Sequence, residues 1–368
     1  MTWTLPSIDP VDPQQIALAQ QHLDNLTKPQ GSLGRLETLA ARLAAIHGGT
    51  PKVDPARIYT CAGDHGVAAH GVSLFPQAVT RQMVHNFLTG GAAINVLTRE
   101  ASVDLQVVDA GCAGGPFPEH PHLIQCKVAP GTADFTQGPA MTRAQCEAAL
   151  ENGLELARLA DTEGFVTVGT GEMGIGNTTP ATALYCAYLG LAPEAITGPG
   201  TGLSPQRVQH KVAVIAEGLA RHREVIASGD PVAILAALGG LEIATLTGLI
   251  LGAASRRMNV VVDGFIATAA FVAARAMAPT VQDYAFFAHA SAEPGHRAVL
   301  AAVGEQGLIH LGLRLGEGTG AAMAVFILRC AAAIFTGMAT FESANVARAT
   351  DLEHDAPASS TEGDGQHS

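Results

Sequence analysis

What most constrains this chain is a recurring pair of features: a short apolar run rich in β-branched residues, then glycine beside a single acid. Arg57–Ala62 leads into Gly63-Asp64-His65-Gly66, Leu105–Val108 into Asp109-Ala110-Gly111, and Phe165–Val168 into Gly169-Thr170-Gly171-Glu172. Val232–Leu235 precedes Gly239-Gly240-Leu241-Glu242, Asn259–Val262 precedes Asp263-Gly264, and Leu315 precedes Gly316-Glu317-Gly318-Thr319-Gly320. Ala/Leu-rich stretches long enough for helices separate the runs. That alternation predicts an α/β fold, a parallel sheet covered by helices on both faces. Such sheets bind ligands beyond the carboxyl ends of their strands, so the six loops are expected to share one edge. A tight turn explains any one of these glycines; the set points to a site.

Composition narrows the classes. Hydrophobic residues are 48% and charged residues 15%, which excludes disorder for most of the chain. The 41 glycines follow no Gly-X-Y period, which excludes collagen. One Trp, four Tyr and twelve Phe are too few for a stacking platform, and a net charge of −12 disfavours a nucleic-acid partner. Five acids and no Lys or Arg lie in residues 351–368, read as a disordered acidic tail. The apolar stretches Val232–Ala254 and Ala321–Thr340 are interrupted by Glu242 and Arg329, and read as buried core rather than membrane spans. Met1–Pro10 lacks the basic and apolar run of a signal peptide, and six cysteines without a CxxC read as reduced thiols, so a cytoplasmic enzyme is expected. From Gln14 to Ile46, apolar residues recur at helical spacing on both sides of Lys28-Pro29-Gln30-Gly31-Ser32-Leu33-Gly34, predicting two helices joined by a loop.

Gly169-Thr170-Gly171-Glu172-Met173-Gly174 matches GxGxxG after a strand, with Asn177-Thr178-Thr179-Pro180 opening a helix. A dinucleotide fold also needs an acid at the end of a second strand. Glu194 has the spacing, but Leu189-Gly190-Leu191-Ala192-Pro193 is no strand, and Glu172 would repel a pyrophosphate. Glycine amides, Thr hydroxyls and a helix N-terminus remain, which suit one phosphate. A second loop, Gly198-Pro199-Gly200-Thr201-Gly202, precedes a helix carrying Lys211, either a phosphate counter-charge or a solvated lysine. Glu317, between glycines and before an apolar helix start, fits a general base or an acid that complements the helix dipole. Asp64-His65 has no partner at metal-ligand spacing, so no metal is expected.

Six blocks together resemble one family: Lys28–Glu37, Ala62–Val67, Gly171–Pro180, Asp263-Gly264-Phe265, Ser291-Ala292-Glu293 and Arg314–Ala321. They look like the successive signatures of the nicotinate-nucleotide:dimethylbenzimidazole phosphoribosyltransferases, which make the lower-ligand nucleotide of cobalamin. The resemblance implies a Rossmann-like sheet domain over 51–334, a small helical domain from 1–50 and 335–350, and a homodimer. It implies Glu317 as the catalytic base and Glu172 as a second acid beside it. Gly174, Ile175, Gly176, Asn177, Thr178, Gly200, Gly202 and Lys211 would bind the 5′-phosphate. Ser73, Phe75, Gln82, Met83 and Leu315 would contact the benzimidazole, and Glu242, Asp263 and Ser291 would complete the substrate site. No cofactor, metal, nucleic acid or membrane is implied; the partners are nicotinate mononucleotide and a benzimidazole. An NAD(P)-dependent dehydrogenase, resting on the lone GxGxxG, and a nucleotide-binding module without turnover are the competing readings.

Overall fold

The computed structural model describes residues 3–347; the acidic segment 351–368 and residues 348–350 of the expected helical unit lie outside that range. Six strands form one sheet: β1 (Ala56–Gly63), β2 (Asp104–Gly111), β3 (Leu123–Gln125), β4 (Thr167–Met173), β5 (Asn259–Val262) and β6 (Ala285–Phe287). Their order is β3-β2-β1-β4-β5-β6, and every neighbouring pair is parallel. Every residue of β1 and β5 is buried, as expected of strands covered on both faces. The order winds outward in both directions from β1 and β4. Their carboxyl ends therefore form the switch point at which ligands bind in open α/β sheets.

Thr60 of β1 reaches the Glu317 carbonyl, whereas Gly63, three residues on and therefore on the other face, abuts Glu242 at the start of the Leu241–Ser255 helix. Leu241–Ser255 also packs along the Arg143–Thr162 helix, its most extensive helical contact. Two glycines allow that approach: a Cβ on Gly153 would lie 2.0 Å from the Thr245 oxygen, and one on Gly248 2.1 Å from the Leu150 oxygen. Part of the glycine excess thus belongs to helix packing rather than to ligand loops.

Four expectations need correction. Val232–Leu235 is not a strand but lies in the helix Pro231–Leu238, capped by Asp230, whose carboxylate accepts from the Val232 and Ala233 amides. A short, continuously apolar run fits a buried helix as well as a strand, and here Asp-Pro is the deciding signal. Gly239-Gly240 accordingly follows a helix. Gly169, Gly171 and Glu172 lie within β4, so the turn proper begins at Gly174. Gly316–Gly318 follows irregular chain rather than a strand. β3 and β6, three residues each, are too short to show a period.

At the chain ends, Pro13–Asp24 packs on Arg35–Ile46, which packs on Thr319–Gly337. Leu26 bridges Thr340, and Thr27 donates to the Ala339 oxygen at 2.9 Å. Lys28 and Glu37 form a buried ion pair at 2.9 Å, which fixes the intervening loop. By length and composition alone, Thr319–Gly337 could cross a membrane; here its inner face packs on β1, β4 and β5.

Candidate active site

A cavity of about 430 Å³ opens at the carboxyl edge. Its acid end is built on β4 and on the loop Gly316-Glu317-Gly318. Glu172, near the end of β4, is buried and accepts a short hydrogen bond from the Asn177 side-chain Nδ2. Burial pushes its carboxyl up to about 8; Asn177 opposes this, and the neighbouring charges of Asp263, Glu242 and Glu317 add to it. Glu317 packs against β4, its backbone amide donating to the Glu172 carbonyl at 3.1 Å. Its carboxylate accepts from the Ile94 amide, 3.2 Å away in the first turn of the Ala93–Glu100 helix. Burial raises the Glu317 carboxyl above its ordinary range, and the Ile94 bond partly offsets this. The loop can lie this close because β4 offers glycine: a Cβ on Gly171 would stand 2.4 Å from the Glu317 oxygen.

A second part of the lining is built on glycine turns, a helix N-terminus and a buried lysine. Gly174-Ile175-Gly176 turns the chain into the helix Thr178–Leu189, with the Ile175 amide held by Thr80 Oγ1 at 3.1 Å. Lys211, from the helix Pro205–Arg221, is fully buried; its Nζ donates to Thr178 Oγ1 at 2.6 Å and to the Gly198 oxygen at 3.4 Å. Burial pulls the Lys211 ammonium down to about 8, with Glu293 opposing. Gly200, at φ +54°, brings its backbone so near that a Cβ would lie 3.2 Å from Thr178 Oγ1 and 3.5 Å from Lys211 Nζ. The lining also has an apolar wall that includes Val72, Phe75, Val79, Met83 and Leu315.

The cavity thus gathers Glu172, Glu317, Gly174–Thr178, Gly200, Ser73, Phe75, Met83, Leu315 and Ser291. Lys211 stands behind Thr178 and Gly200. Four expected residues are elsewhere. Gln82 is solvent-exposed on the outer side of the Ala78–Leu88 helix, and Gly202 lies beside Leu74, outside the lining. Glu242 is buried behind the sheet edge and bonded to His65 Nε2 at 2.7 Å, a pairing that outweighs burial and raises the His65 pKa. Asp263 turns away from the lining, toward the N-terminus of Thr319–Gly337. A glycine-flanked acid at a strand end looks alike in sequence whether it faces ligand or structure.

Some lining residues escape the sequence reading. His289, Arg314 and Glu293 join the wall, the last with a buried Oε2 that bonds to no other group among the described residues. Glu293 and Arg314 fall within blocks that sequence singles out; His289 follows β6, a strand too short to be seen. No group of His, Cys, Asp and Glu among the described residues is arranged to hold a metal ion.

Comparison with known proteins gives the family. The phosphoribosyltransferase family model matches residues 8–346. The nicotinate-nucleotide–dimethylbenzimidazole phosphoribosyltransferase of Solidesulfovibrio magneticus is 63% identical over 343 residues, 93% of this chain and 97% of that protein. The protein of the same name from Chlorobaculum tepidum is 52% identical over 348 residues, 94% of this chain and 98% of that one. The crystal structure of the Thermus thermophilus enzyme of that name superposes with a TM-score of 0.86 at 46% identity, covering 92% of this chain and all of the other. Sequence and fold agree that the chain belongs to the nicotinate-nucleotide–dimethylbenzimidazole phosphoribosyltransferase family.

Proposed function

We propose that this protein moves the 5-phosphoribosyl group of nicotinate mononucleotide to 5,6-dimethylbenzimidazole, giving nicotinate and α-ribazole 5′-phosphate for the nucleotide loop of cobalamin. The observation that carries the reading is one cavity lined by two buried carboxyls, Glu172 and Glu317, and by the Lys211–Thr178–Gly200 cluster. The cluster holds the 5′-phosphate through amides, a hydroxyl and a buried cation. The apolar wall of Phe75, Met83 and Leu315 receives the planar base.

Chemically, little more is required. Nicotinate departs from a positively charged pyridinium, so its loss neutralises the ring without an acid. One azole nitrogen of the benzimidazole attacks C1′, and the other must lose its proton or leave a cationic product. Glu317 takes that proton, and its burial raises its basicity toward the operating pH. Glu172, raised further, keeps its own proton near neutrality and serves as a hydrogen-bonding partner; two neighbouring carboxyls with separated pKa values take separate roles. Attack opposite the leaving ring inverts C1′ and gives the α-riboside.

The same proposal includes a homodimer, a cytoplasmic setting, and a helical unit of 1–50 with 335–350 beside a catalytic unit of 51–334. The Leu26–Thr340 bridge supports that helical unit. Mixing the protein with nicotinate mononucleotide and dimethylbenzimidazole and resolving the products by chromatography tests the activity. Release of nicotinate with α-ribazole phosphate is expected; binding without turnover would overturn it.

A further inference from the structure

Of the non-glycine residues lining the cavity, Glu317 alone has a left-handed backbone, at φ +64°. Such a conformation persists where the surroundings over-determine it, and here the fastenings can be named. Thr60 Oγ1, from β1, donates to the Glu317 carbonyl at 2.7 Å. Asp263, at the end of β5, accepts from the Gly318 amide at 3.3 Å with Oδ2 and from the Ala321 amide at 2.9 Å with Oδ1, and the Gly320 amide also bonds to it. Its own amide is held by Thr170 Oγ1 at 3.2 Å. Both carboxylate oxygens are thus committed to the chain just after Glu317.

The geometry points to Asp263, with Thr60 as a second fastening, as a positioning residue that holds Glu317 in the left-handed backbone from which its side chain lines the cavity. This rests on Glu317 being the base of the proposed reaction. Asp263 does so by binding, as an anion, the free amides at the N-terminus of Thr319–Gly337, which the dipole of that helix favours. Its charge also acts on the base. The titratable groups around it are Glu317 on the loop, Glu172 on β4 and His289 after β6, whose Nε2 is 3.9 Å away; the charge of Glu242 on the Leu241–Ser255 helix also acts on Glu172. Removing that negative charge makes Glu172 and Glu317 easier to ionise.

The test is a double-mutant cycle in the full-length protein, following nicotinate release from nicotinate mononucleotide and dimethylbenzimidazole. Asp263→Asn is expected to lower kcat roughly 100-fold, the scale of a misplaced reacting group, to leave KM for the mononucleotide within about threefold, and to move the acid limb of the kcat profile to lower pH. In a Glu317→Gln background the same substitution is expected to cost less than about threefold, because residues acting through one another are not additive. Multiplying losses, or a KM effect with kcat intact, would overturn the assignment. Should Asp263→Asn fail to melt cooperatively, the cycle is run with Thr60→Val, where independent losses overturn the anchorage equally. Wild-type protein that releases no nicotinate overturns the proposed function and this inference with it; active wild type with multiplying losses overturns the inference alone.

Discussion

Around Lys211 burial loosens a cation's hold on its proton, and around Glu172 it tightens the hold of carboxyls on theirs. Lys211 is drawn down to about 8, while Glu172 is pushed up to about 8 and Asp263 to about 7, in each case mainly by loss of water. One physical cause thus prepares two opposite sites. A desolvated ammonium holds its proton more firmly when a phosphate arrives. A cluster of desolvated carboxyls instead competes over which member gives up its proton, so the cluster can hold one proton and accept another. The construction differs too: one helix N-terminus, one loop and one lysine make the anion end, whereas the acid end needs β4, β5 and the distant Gly316–Gly318 loop.

If the two ends do separate work, substitutions should split between kcat and KM. The largest effect is expected at Glu317: Glu317→Gln lowers kcat by roughly 10²-fold or more while mononucleotide affinity, set at the other end, is kept. Steady-state kinetics decides this, and wild-type-like turnover would break the comparison. Next comes Lys211→Met, expected to weaken mononucleotide binding by about 1.5–3 kcal/mol, the range for a hydrogen bond to a charged group. Calorimetric titration measures it; an unchanged dissociation constant would remove Lys211 from the anion end.

Gly171→Ala probes the contact between strand and catalytic loop. A methyl there meets the Glu317 carbonyl oxygen and carbon at 2.4 and 2.7 Å, and overpacking costs about 1–3 kcal/mol. A lower Tm and reduced kcat are expected, with Gly115→Ala, where nothing lies within 4 Å, as the neutral control. The smallest effect is on pH-dependent stability. Between the ordinary glutamate value of 4.5 and about 8, the folded chain binds more protons at Glu172 than the unfolded chain does, so this group's contribution falls as pH rises. For Lys211 the unfolded chain binds more protons between about 8 and 10.5, and the contribution rises. Scanning calorimetry should therefore find a shallower decline of Tm from about pH 5 to 8 in Glu172→Gln. A slope equal to wild type would show that Glu172 does not titrate so.

The anion end is the more legible of the two because its parts are local. Gly174–Thr178 is one strand–turn–helix stretch, and Lys211 follows its own glycine loop within one helix. The acid end is legible only as a set of glycine-flanked acids. Glu172 and Glu317 line the cavity, Asp263 binds helix amides and Glu242 pairs with His65, yet all four stand beside or near glycine. Val232–Leu235 misleads for a related reason: a buried apolar run has no polar face to reveal its period.

By itself, then, the sequence determined the parallel α/β architecture, the glycine turn from β4 into the Thr178–Leu189 helix and the six blocks that carry the family resemblance, because periodicity, glycine spacing and caps are written along the chain. Tertiary structure decided which acids face the cavity, that Gln82 stays outside it, and that Glu317 is held left-handed from two strands. Those facts depend on which side of a backbone a carboxylate turns once β1, β4 and β5 stand side by side, and nothing local to an acid and its glycine encodes that.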